Sequence, residues 1–168
     1  MTISMYAASV PLFRHRLGAL AAVMAKGAAF AQEQDIDPAT LLATRLAPDM
    51  FPLSRQVQIA SDQAKGGAAR LAGIEAPKFA DTESSFAELD ARIARTLAFL
   101  DTIPLERIDG SETREIVLTF PQRELRFTGQ QFLIGYAIPN VLFHCTAAYA
   151  ILRHAGVPLG KADFIGAV

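Results

Sequence analysis

"PNVLFHCTAAYAILRHAG", residues 139–156, decides the fold. It contains no acidic residue, and Arg153 is its only Lys or Arg. A helix that is apolar all round is buried, either in protein or in a membrane. The stretch opens on a proline and stops at Gly156, two residues before Pro158, which is the punctuation of a helix end. Yet Asn140 and His144 stand one turn apart within it, and Tyr136 stands one turn earlier, so all three share a face. Buried polar groups are costly unless paired. This polar stripe therefore either hydrogen-bonds to a neighbouring helix or lines a pocket.

Upstream, Thr128-Gly129-Gln130-Gln131 fits a capping box, T-x-x-Q. The last helix is thus expected from about 128 to 155, with a kink near Pro139. Before it, "REIVLTFPQRELRFTG" (114–129) breaks the helical pattern. Ile116, Leu118 and Phe120 alternate with polar positions, as do Leu125 and Phe127, and a turn falls at Pro121-Gln122. That is the period-two signal of a small β-hairpin, which needs the bundle to pack against.

The N-terminal half is helical. Tyr6, Val10, Phe13, Leu17, Leu20 and Met24 recur at three- and four-residue steps and predict a first helix over 5–31, with Pro11 loosening its start. Asp37 suits an N-cap with Pro38 at the first helical position, giving a short helix at 38–45. A second main helix is expected at about 50–72, closed by Gly73. Gly66-Gly67 either weakens it or lets another helix approach. Ser84 or Ser85 caps a third, whose face is Phe86, Leu89, Ile93, Leu97 and Leu100, running to about 103. The fold class is all-α: a single four-helix-bundle domain over 1–168, with a short helix after the first and a hairpin before the last.

The chain has 168 residues, 51% hydrophobic and 20% charged, with a formal net charge of −1. That composition suits one globular domain and excludes a disordered one. No stretch is dense in Lys and Arg, so neither nucleic acid nor a membrane is expected as a partner. Cys145 is the only cysteine, which excludes an intramolecular disulfide and points to a reducing, cytoplasmic compartment. "LGALAAVMA" after Arg14 and Arg16 imitates a signal sequence, but Lys26 interrupts the run. Phe132 to Leu152 is long enough to span a bilayer. Its polar residues, and the amphipathic helices around it, favour burial in protein. The last helix still has more apolar surface than one core face requires, and a second copy of the chain would cover it, giving a homodimer through that surface.

No phosphate-binding loop, nucleophile elbow or zinc-protease motif is present. His144 and His154 are ten residues apart, roughly 15 Å along one helix at about 1.5 Å per residue, too far to share an ion. His154 suits the helix C-terminus, and His15, between two arginines, suits solvent. Cys145 points about 100° away from His144 and reads as a buried thiol rather than a nucleophile. The second main helix offers Gln56, Gln58 and Asp62 as polar neighbours. The candidate pocket is therefore Gln58, Asp62, Tyr136, Asn140 and His144, with a possible small-molecule ligand and no cofactor.

The ending "LRHAGVPLG", together with "MYAASVPLF" and "RLAPDMFPLSRQVQIASDQAKGGAARLAG", resembles the DinB/YfiT-like bundles, and within them a bacterial family of unknown function. The resemblance covers nearly the whole chain. It implies the four-helix bundle and a divalent metal on three histidines, one from the second main helix and two from the last. Some relatives are metal-dependent thiol transferases or isomerases, so the resemblance also implies such an enzyme using His144 as the alternative function. One metal position falls on His144. The other two fall on Asn140 and near Gln58, which are amides. Zinc and nickel sites favour imidazole, thiolate or carboxylate, so no metal is expected; if any bound, His144, Asn140 and Gln58 would be its ligands.

Overall fold

The structure, a computed structural model, describes residues 3–167. Four long helical segments make the bundle: α1 (Val10–Glu33), α3 (Leu53–Ala72), α4 (Phe86–Asp101) and a composite last segment. That segment is α6 (Gly129–Phe132), a π-helical turn (Leu133–Ala137) and α7 (Ile138–His154). Short helices α2 (Pro38–Ala43), α5 (Leu105–Ile108) and α8 (Lys161–Ile165) lie between or after them. Strands β1 (Glu115–Phe120) and β2 (Arg123–Thr128) form one antiparallel hairpin with Phe120 opposite Arg123, which leaves Pro121-Gln122 as the turn.

Local chemistry sets most boundaries as the sequence predicts. The Asp37 side chain accepts from the Ala39 amide at 3.0 Å to open α2. Ser85, not Ser84, caps α4 in a reciprocal box with Glu88. Thr128 and Gln131 form the predicted box at the start of α6. Gly73 ends α3 in the left-handed region at φ 67°, where a side chain would be strained. The expected first helix differs at its start. Residues 5–9 are turns, and Pro11 lies in the first turn of α1, where its missing N–H costs nothing. Pro11 thus begins the helix rather than kinking it.

The kink expected at Pro139 takes a specific form. Proline has no N–H to give to the carbonyl of Gly135 four residues earlier. The turn before it widens to i→i−5 bonding, with the Ile138 amide donating to the Leu133 carbonyl. Such π-bulges recur at functional sites.

The core runs along α1, α3, α4 and α7, through Phe13, Leu17, Leu53, Val57, Leu89, Leu100, Val141 and Ile151, all essentially inaccessible. Several of the buried residues of α3 are small: Ala60, Ala64, Gly67 and Ala68. At Gly67 a methyl group would lie 3.3 Å from Ala137 Cβ, so α3 and the last segment sit close at the π turn. The run Gly129–His154 is long and apolar enough to cross a membrane by length and composition. Here it packs as a bundle helix. Its inner face is covered by α1 and α3, while Ile134 (61% exposed) and Phe143 (57%) remain on its outer face.

Candidate functional site

His144 is half-buried and hydrogen-bonded to Gln56 of α3, Nδ1 to Oε1, at 2.7 Å. The Gln56 amide nitrogen donates to the Phe51 carbonyl at 3.0 Å, which fixes the orientation of the amide. Its oxygen faces the imidazole and can only accept. Nδ1 therefore carries the proton in the neutral ring, and Nε2 keeps its lone pair with no partner among the described residues. Burial, and then the positive charge of Arg55, hold the imidazole below its ordinary value of 6.5. The result is a neutral, oriented imidazole.

Gln58, two residues further on, turns about 200° around the helix from Gln56 and belongs to a different assembly. It accepts from Arg55 at 3.1 Å and donates to Glu83 at 3.0 Å. At the centre of that assembly is Arg92 of α4, with no solvent exposure. Its guanidinium meets Asp62 at 2.8 Å, Asp81 at 2.9 Å, Glu83 at 3.0 Å and the Ala80 carbonyl at 3.1 Å. Burial opposes its charge, but Asp62, Glu83 and Asp81 outweigh that and push its pKa up. Asp81 titrates below its ordinary value, because pairing with Arg55 and Arg92 exceeds the cost of its burial. Lys65 joins through Asp62 at 2.7 Å, with its ammonium 4.0 Å from the centre of the Phe79 ring. This network fastens the segment 73–85, a loop in sequence terms, across α3 and α4.

Asp62 also faces another way. Both of its partners use Oδ1. Oδ2 has none among the described residues. The side chain borders a cleft of about 260 Å³, bounded by Gln63 and Arg70 of α3, by the β1 stretch 117–120, and by Tyr136 of the π turn. Tyr136 is held by aromatic neighbours: its ring stacks on Phe132 at 5.7 Å and tilts against Phe127 at 5.7 Å. Asn140 is held on its own helix, its amide nitrogen donating to the Tyr136 carbonyl at 2.8 Å.

Of the five residues the sequence nominates, Asp62 and Tyr136 thus line one cleft. Gln58, Asn140 and His144 are held elsewhere by hydrogen bonds. Spacing did not single out four contributors. Gln56 was one polar neighbour among several. Gln63 and Arg70 stand outside the polar set that spacing picks out on the second main helix. The β1 wall reaches the cleft only through tertiary packing.

The family described as Domain of unknown function (DUF1993) matches residues 5–165. The chain belongs to this family. A crystal structure of a DinB family member protein from Shewanella denitrificans is similar to this DUF1993 chain with a TM-score of 0.88 and 43% sequence identity. The alignment covers 97% of this chain and 92% of that one. No curated protein matches the sequence significantly. The relationship accounts for the all-α bundle and its hairpin.

The superfamily resemblance implies a divalent metal, and the residues in the corresponding places do not fit one. His144 commits Nδ1 to Gln56, Asn140 donates to the backbone, and Gln58 is engaged with Arg55 and Glu83. One imidazole nitrogen remains, where a zinc-type site needs three or four nitrogen, sulfur or carboxylate donors. Among the described residues no three His, Cys, Asp or Glu side chains cluster as metal ligands. Cys145 is buried, and burial pushes its thiol up to about 12, so it supplies no thiolate.

Proposed function

We propose that this DUF1993 protein is a metal-independent small-molecule-binding bundle, and that the cleft between α3, β1 and the π turn is its binding site. The observation that carries this reading is the convergence of four side chains on that cleft. They belong to Asp62, whose Oδ2 has no partner among the described residues, and to Gln63, Arg70 and Tyr136, all of which line it. A concave site with a few converging polar groups on an apolar wall is the usual form of a ligand pocket. His144 serves helix register in this reading, through Gln56, rather than chemistry. The buried lone cysteine suits a reducing, cytoplasmic setting.

A ligand screen by thermal shift tests the reading, alongside elemental analysis of unchelated protein. The expected result is stabilisation by small polar molecules, lost in Tyr136→Ala and retained in His144→Gln, with far less than one metal per chain. A stoichiometric transition metal would overturn it in favour of the metal-dependent enzyme.

A second reading concerns assembly. Ile134 and Phe143 are exposed on the outer face of the last segment, and no charged residue lies between Gly129 and Leu152. Two copies pairing through that face would bury both side chains. Light scattering at micromolar concentration is expected to give a dimer, converted to a monomer by Phe143→Glu. A wild-type monomer would refute it.

A further inference from the structure

Arg70 is the one charged residue of the cleft that has no hydrogen-bond or ion-pair partner among the described residues, and its position depends on a glycine. Helical side chains lean toward the helix N-terminus, so Arg70 lies over residue 66, one turn earlier. Residue 66 is a glycine. A methyl group built there would stand 2.6 Å from Arg70 Nη1, closer than real contacts allow, and would meet nothing besides the Arg70 head within 4 Å. Gly66 is buried in the middle of α3, where glycine lowers helix stability relative to alanine. The space it leaves is filled by the guanidinium. Tyr136 and Asp62 line the same cleft; among the described residues neither the Tyr136 hydroxyl nor Asp62 Oδ2 has a hydrogen-bond partner, and the Asp62 carboxylate is anchored through Oδ1 by Lys65 and Arg92. Val117 and Phe120 form an apolar wall, each a little over a third exposed.

We propose that Gly66 and Arg70 form a seat for a carboxylate. The ligand class is a small organic acid with an apolar body and a hydroxyl or ammonium donor. The carboxylate takes the planar fork of Arg70 with help from the Tyr136 hydroxyl. The donor is accepted by Asp62 Oδ2, and the apolar body lies on Val117 and Phe120. Guanidinium suits this role because it binds a carboxylate through two parallel N–H bonds. A volume of about 260 Å³ limits the ligand to a small acid. This inference rests on the cleft being the binding site proposed above, and adds what occupies it.

The test uses phenyllactate, which has all three elements, and 2-phenylethanol, which lacks the carboxylate. Each is titrated into ¹⁵N-labelled full-length protein and followed by amide shifts. Phenyllactate is expected to move the signals of Arg70, Tyr136 and residues 117–120 and to bind about tenfold or more tighter than 2-phenylethanol. Gly66→Ala is expected to displace the guanidinium, weaken phenyllactate about tenfold, and leave Tm unchanged or raised. Arg70→Gln gives the same loss with the glycine intact. If both probes bind the cleft equally, and Gly66→Ala binds like wild type, the carboxylate seat is overturned while the cleft stands as a binding site. If neither probe moves the cleft signals, both readings fail.

Discussion

Gln56 Oε1 accepts a hydrogen bond from His144 Nδ1 at 2.7 Å, joining α3 to α7 across 88 positions of the sequence. The Gln56 amide nitrogen is also used, on Phe51, so the glutamine is satisfied at both ends. Removing one partner strands a donor or acceptor that burial has taken from water, while removing both strands neither. Gln56→Leu is therefore expected to cost about 1–3 kcal/mol. The double variant with His144→Leu should cost less than the sum of the single ones. Urea unfolding of the four proteins measures the coupling. Additive losses would show that the bond adds nothing to stability.

The same imidazole gives the fold a pH dependence of predictable sign. Its folded pKa lies below 6.5, lowered by burial and then by Arg55. Below the unfolded value the unfolded chain binds more protons than the folded one, so stability falls as pH falls through that window and is constant above it. The bond to Gln56 does not break on protonation, since Nδ1–H donates in either state. The cost comes from placing a cation in a half-buried site near Arg55. Unfolding free energies between pH 7 and 5 should decline in wild type, and the decline should be smaller in His144→Gln. Equal slopes for the two proteins would contradict this.

Periodicity carried the fold: the stripes of α1, α3 and α4, the alternation of β1, and the caps at Asp37, Ser85 and Thr128 are all local signals. The apolar last segment was legible as buried for the same reason. The short helices α5 and α8 were not, since four or five residues hold too little periodicity to separate from loop. The site was legible only in part. Asp62 and Tyr136 come together, but which face of α3 meets α7 is a tertiary fact, and a slip of two residues exchanges Gln56 for Gln58. Nor could spacing reveal that the 73–85 segment folds onto Arg92, because Asp81 and Glu83 lie outside any periodic pattern.

Arg92 is the member of the ion network that should be least replaceable. It is fully buried, and Glu83 is nearly so, with 5% of its side chain exposed. Arg92→Met leaves Glu83 without its main counter-charge and releases the Ala80 carbonyl. Breaking a buried pair on one side typically costs about 3–5 kcal/mol. The loss should also free the segment 73–85, so amide exchange is expected to quicken there more than in α1. By contrast Arg126→Ala, which removes exposed, solvent-screened pairs to Glu115 and Glu124, should leave stability nearly unchanged. Similar losses for the two variants would refute the buried network as a stabilising element.

Two glycines should respond to alanine with opposite signs. Gly129 opens α6 where the chain leaves the hairpin, and a methyl group there would fall 1.9 Å from the Ser111 carbonyl oxygen, which is backbone and cannot swing aside. The neighbouring Gln130 amide donates to the Glu112 carbonyl at 3.0 Å, so the two segments are already tied at this point. Gly129→Ala must push them apart, at a typical overpacking cost of about 1–3 kcal/mol. Gly18 sits on the exposed side of α1 with nothing within 4 Å of an added methyl. Gly18→Ala only gains helix propensity, about 0.5–1 kcal/mol. For a domain of this size each kcal/mol shifts Tm by about 2–4 °C. Thermal melts followed by circular dichroism should therefore move in opposite directions for the two variants. A Gly129→Ala protein that melts with wild type would mean that the 111–112 segment and the start of α6 are not held as closely as the structure places them.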